Sequence, residues 1–227
     1  MLLGEPLLGL RYYRRLQDRL ASDPTSRPTY YLILIAWEWA WLPFIALAVL
    51  GRPEPLALLG LRPPGEIGWL LIWIVLAMLL VTTALFRLVP ALRRNIEGEL
   101  MLVAALLPSG RRERWLYAAV SLTAGICEEL LYRGFLTYFL TTALPDLSVW
   151  VVAAVSSAMF GLAHAYQGGR GILQTGASGL AFAVLFVVSQ SLLPAMVLHA
   201  LGDLRAMFFW PPAEATRLPR GEPQGAN

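Results

Sequence analysis

Residues 125–136 read GICEELLYRGFL and set two glutamates and an arginine inside an otherwise apolar stretch that spans 115–144. A charged group at bilayer depth costs about 2.5–3.5 kcal/mol even on the lenient insertion scale, so pairing, water or function has to offset it. Glu129 and Arg133 are four apart and share one helix face, where they can pair, whereas Glu128 is turned by about 100° and points elsewhere. The stretch predicts a membrane helix with one carboxylate that anchors and one that is available for work. The bland alternative is a buried ion-pair cluster that holds helices in register.

Composition agrees with a membrane setting. The 227 residues are 57% apolar and 15% charged, with a mean hydropathy of +0.60, against about 45–50% and about 25% for a soluble domain. A single cysteine, Cys127, cannot form an internal bridge, and no Cys/His finger spacing is present, which excludes a disulfide-stapled fold and a zinc knuckle. The net charge of +3 comes from arginine alone, since the sequence holds no lysine. Its arginines cluster beside apolar runs (Arg11, Arg14, Arg15 and Arg19; Arg93 and Arg94; Arg111, Arg112 and Arg114). That is the pattern of topogenic charge, so no nucleic-acid partner is expected.

Residues 1–28 set leucines and tyrosines against arginines and predict an interfacial amphipathic helix; the charge follows the leucines, unlike a cleaved signal peptide. Residues 29–110 hold two spans, 30–50 and 67–89, and an interfacial segment, 91–108, that is charged first and apolar after. Residues 111–210 form a helical core with spans at 115–144, 147–166, 172–190 and 192–210, and 211–227 read as a loose polar tail. Pro145-Asp146 predicts a turn and cap for the following helix, and QGGRG at 167–171 predicts a loop. Glu38, close to the end of its span, reads as facing the headgroups. The expected fold is all-α, a polytopic membrane bundle of six to eight transmembrane helices around a polar cavity. Arginines before the first span, around 87–114, and at Arg217 and Arg220 predict both termini on the cytoplasmic side. Absence of lysine beside abundant alanine and arginine fits a GC-rich bacterial genome, hence a bacterial plasma membrane.

The chain has two histidines, and both fall in predicted spans: His164 in MFGLAHAY and His199 in AMVLHALGDL. A lone membrane histidine most often serves a helix–helix hydrogen bond. Phe160 precedes His164 by four, and His199 precedes Asp203 by four, so each imidazole has a one-turn neighbour on its own face. Burying these polar faces apart from one another would strand charge in lipid, so the predicted helices bring them together. Glu128, two imidazoles and a further carboxylate can activate water and steady an oxyanion. Glu128, His164 and His199 can equally bind Zn²⁺ and leave a position for water.

The trio Glu128-Glu129-x-x-x-Arg133, Phe160-x-x-x-His164 and His199-x-x-x-Asp203 resembles, in order, the pattern of the CAAX protease and bacteriocin-processing (CPBP, Abi) family of intramembrane endopeptidases, which includes the prenyl-protein endoproteases. The resemblance runs from about Val120 to Asp203. It implies helices around a conical, water-accessible cavity and a peptide or membrane-protein substrate within the lipid bilayer. It implies Glu128 as the general base assisted by His164, His199 and Asp203 as oxyanion stabilisers, and Glu129 with Arg133 as the pair that holds the helices and tunes the base. The prenyl-protease branch has asparagine at the last position; the aspartate here would have to be protonated or act through His199, because an ionised carboxylate repels a developing oxyanion. Metal-dependent and metal-free mechanisms are both on offer for the family, and metal-free water activation is the reading favoured here. Two competing expectations are a bacteriocin-immunity or scaffold protein in which the cluster is structural, and a proton- or ion-coupled transporter; the latter predicts inverted repeats, which the sequence lacks.

Overall fold

A computed structural model describes residues 5–209, and their regular structure is all helical, with no strand among them. The expected tail at 211–227 lies outside the described residues. In chain order the helices are α1 (Glu5–Ser22), α2 (Arg27–Ala40), α3 (Leu42–Val49), a single turn α4 (Pro55–Leu58), α5 (Glu66–Leu88), α6 (Pro90–Leu100), α7 (Arg111–Glu129), α8 (Thr137–Ala143), α9 (Val149–Ala163), α10 (Gly168–Ser189) and α11 (Leu193–Phe209). The six stretches read as spans all fall on helix. Three runs, Arg27–Val49, Glu66–Leu88 and Ala165–Ser189, are long and apolar enough to cross a membrane, and Val149–Ala163 is apolar but shorter. Large apolar side chains such as Leu47, Trp73, Leu80 and Leu173 face outward, while Glu129 and Arg133 are fully buried. That inside-out distribution, on helices of this length, marks an integral membrane protein.

Between α7 and α8 the chain is wound as a π-helix over Leu130–Leu136, a register that leaves carbonyls open to outside donors. The Tyr132 carbonyl accepts from Ser156 Oγ of α9 at 2.8 Å, so the wide turn is tied to its neighbour. Close packing of α9 on α10 rests on small residues: a Cβ at Gly161 would come within 2.6 Å of the Ile172 carbonyl and 3.0 Å of Gly176 Cα. α11 lies antiparallel on α7, with Gly125 against Ala200, and parallel to α5, with Phe86 against Phe209. α2 runs beside α7 in the same direction, Tyr31 near Tyr117 and Trp39 Nε1 donating to Thr123 Oγ1 at 3.2 Å.

One end of the bundle is closed by α1 and by the 3₁₀ turns over Met101–Leu106 that follow α6. Tyr13 donates to the Leu102 carbonyl at 2.9 Å and Tyr31 to the Leu106 carbonyl at 2.6 Å. Arg27 pairs with Glu113 at 2.7 Å and also donates to the Ala105 carbonyl, fastening the start of α2 to the start of α7. Leu16, Leu20 and Ala105 are buried there, so the amphipathic α1 packs on the bundle as well as presenting its arginine face.

Two local expectations are corrected. Helix α9 is capped by Ser148, whose Oγ accepts from Val151 N at 3.3 Å, and not by Asp146, which stands too far upstream to reach the first free amides. QGGRG is not a loop: α10 begins at Gly168, whose φ of +75° turns the chain, and Gly169 and Gly171 continue as helix.

Candidate active site

Glu129 and Arg133 pair as their spacing predicts, Arg133 Nη1 donating to Glu129 Oε1 at 2.8 Å with both side chains fully buried. Arg133 Nη2 donates to the Gly179 carbonyl at 3.0 Å, and the guanidinium lies 4.3 Å from the Phe160 ring centre. A buried arginine therefore links α7, α9 and α10. Gly179 permits it, since a Cβ there would stand 2.8 Å from Nη2.

The same Glu129 oxygen accepts from His199 Nδ1 at 2.8 Å. A carboxylate only accepts, so His199 carries a proton on Nδ1 and turns Nε2 the other way. There Nε2 stands 3.7 Å from Glu128 Oε2 and 3.7 Å from Asp203 Oδ2. The ring is clamped by Phe182, stacked at 4.9 Å and 13°, and by Phe160 edge-on at 5.8 Å. His164 ends α9, and its Nδ1 meets the Phe160 carbonyl at 2.9 Å, which again puts the proton on Nδ1 and leaves Nε2 as the acceptor of the neutral ring. Its ring lies 4.8 Å from that of Phe160. Phe160 thus touches both imidazoles and the guanidinium.

Glu128, His164, His199 and Asp203 line one cavity of about 800 Å³, far above the ~30 Å³ share of a water molecule in the liquid. Glu129 and Arg133 stand behind its wall. Polar Gln174, Thr175 and Ser178 of α10 and the apolar Leu34, Met78 and Leu79 also face it, so it presents both wettable and greasy surface. Tyr13 and Gly9 of α1 line it near His164, through Tyr166, whose ring lies 5.1 Å from Tyr13 and 5.7 Å from His164.

Glu38 is the residue that sequence reasoning misplaced. It does not look to the headgroups: it lines this cavity from α2, and a hydrogen bond joins its side chain to that of Glu128. The remaining Glu128 oxygen, Oε2, is buried with no hydrogen-bond partner among the described residues. The one signal for Glu38 in the sequence was its charge within an apolar run, the same signal that singled out Glu128.

For the Zn²⁺ reading, the described His, Cys, Asp and Glu side chains include no group of three or more that could hold a metal ion. His199 Nε2 stands 3.7 Å from Glu128 Oε2 and from Asp203 Oδ2, and His164, the other histidine of the expected set, holds its Nδ1 on the Phe160 carbonyl. No step below passes through a metal.

Residues 110–205 match a family model described as type II CAAX prenyl endopeptidase, Rce1-like. This stretch of the chain is similar to that family. It begins just before α7 and ends within α11, so the Rce1-like part carries Glu128, Glu129, Arg133, His164, His199 and Asp203, while Glu38 and the α1 wall of the cavity lie outside it. The match agrees with the resemblance carried by the ordered trio of motifs. Neither the curated proteins nor the solved structures yield a match to this chain.

Proposed function

We propose that the chain is an intramembrane endopeptidase in which Glu128 activates water to hydrolyse a peptide bond of a membrane-associated substrate. The observation that carries this reading is the buried, unpartnered Glu128 Oε2 in a cavity shared with both imidazoles. In the proposed reaction Glu128 takes a proton from water as the water oxygen bonds to the scissile carbonyl carbon. His164, with its Nε2 lone pair, helps to orient that water. The carbonyl oxygen becomes an oxyanion beside His199 Nε2, which donates to it when the ring is protonated on both nitrogens. Glu128 then hands its proton to the amide nitrogen, the C–N bond breaks, and an acid and an amine leave. Asp203 acts on the charge of the His199 ring and not as a direct donor, consistent with Oδ2 facing Nε2. Glu129 and Arg133 orient His199 from behind. The family description makes a prenylated peptide with a C-terminal CAAX box the first substrate to test.

The test is cleavage of a quenched-fluorescent farnesyl-peptide ending in a CAAX box by purified protein in bilayer discs. Glu128→Gln is expected to lower kcat at least ~100-fold, the lower end of general-base catalysis, while insertion and thermal unfolding stay as in the parent. Parent-like cleavage by the glutamine variant would overturn the assignment and leave the cluster a structural one.

A further inference from the structure

We infer that Glu38 is a positioning residue for the water-activating carboxylate, an inference that rests on the function proposed above. The two carboxyl groups come from helices packed side by side, α2 and α7, and a hydrogen bond joins them. A carboxylate offers only acceptor sites, so this bond exists only with a proton on one of the two, and the base role of Glu128 puts it on Glu38. Glu128 is thereby fixed by one oxygen, and Oε2 is left without a hydrogen-bond partner, 3.7 Å from His199 Nε2. Without that tether, the glutamate could rotate its carboxyl group toward His199 or away from the cavity. The other groups facing Glu128 do not supply the restraint: Arg133 Nη1 and His199 Nδ1 are both spent on Glu129, and Cys127, next along α7, is buried. The tether comes from outside the Rce1-like stretch, so it is a property of this chain's N-terminal helices.

A glutamine at 38 keeps the hydrogen bond to an ionised Glu128, because its amide nitrogen donates. An alanine removes it. With the farnesyl-peptide assay, Glu38→Ala is expected to lower kcat about 10- to 100-fold, the value of a hydrogen bond to a charged group, with KM unchanged within about twofold. Glu38→Gln is expected to restore kcat to within about threefold of the parent, a rescue that a purely structural role in α2 would not show as a kcat effect. In ¹³C-glutamate-labelled protein, the infrared C=O stretch of a protonated carboxyl is expected in the parent and absent from Glu38→Gln. This measurement needs no substrate and no alanine variant that folds. Unchanged kcat in Glu38→Ala, equal losses in the alanine and glutamine variants, or a protonated-carboxyl band that persists in Glu38→Gln would each overturn the inference. An inactive Glu128→Gln with an unaffected Glu38→Ala removes this inference alone, whereas an active Glu128→Gln removes the base assignment and the inference with it.

Discussion

At the scale of single residues, the site separates groups that are locked from groups that are left to react. Glu129 Oε1 serves two donors, Arg133 and His199, and no part of that trio reaches solvent freely. Removing one member of a buried pair strands the other, at about 3–5 kcal/mol. Arg133→Ala and Glu129→Ala are each expected to lower stability by that order, read as loss of the folded fraction on denaturant titration in bilayer discs. Glu128→Gln removes a carboxylate whose Oε2 is unpartnered and is expected to cost far less stability than activity. The motif residues were legible from sequence because spacings of four translate directly into a shared helix face, and the structure keeps Glu129 with Arg133, Phe160 with His164 and His199 with Asp203. Glu38 was not, because its partner is ninety residues away in the chain and no local period records a contact between helices.

At the scale of elements, the critical surface is where α10 passes over Arg133. Gly179 sits against the guanidinium and Phe160, with a Cβ there placed 2.8 Å and 2.9 Å from them. Gly179→Val is therefore expected to push α10 away and to destabilise by about 1–3 kcal/mol, the range for overpacking, while Gly169→Val at a position with open space around it is a control. Thermal unfolding followed by tryptophan fluorescence checks both. Helix existence was readable from apolar run length. The π-helical winding over Leu130–Leu136 was not, because hydrophobic periodicity reports which face is buried and not which carbonyl takes which amide. The start of α10 was misread for the opposite reason: a run of glycines suggests a loop, yet only Gly168, at φ +75°, takes a turn conformation, and the glycines after it are wound into the helix.

At the scale of the whole molecule, the closed end of the bundle depends on the Arg27–Glu113 clasp. Burial pushes the Glu113 carboxyl up, but the Ser109 N–H and hydroxyl and the Arg27 guanidinium outweigh it and hold the group below its ordinary 4.5. A carboxyl lowered in the folded state adds stability that is present above its unfolded value and lost as pH falls through the folded one. The stability difference between the parent and Glu113→Gln is thus expected to be steady above about pH 5 and to shrink as the medium is acidified further, read from unfolding midpoints across pH.

The walls of the cavity come from two lengths of chain: the reacting groups from 110–205, and the α1 and α2 faces from before it. On the function proposed above, the groups assigned to water activation and the greater part of the surface that greets a guest therefore lie on separate tracts, joined at Glu38. A hybrid protein carrying a different N-terminal half would change what it admits and, through the loss of Glu38, the rate at which it cuts.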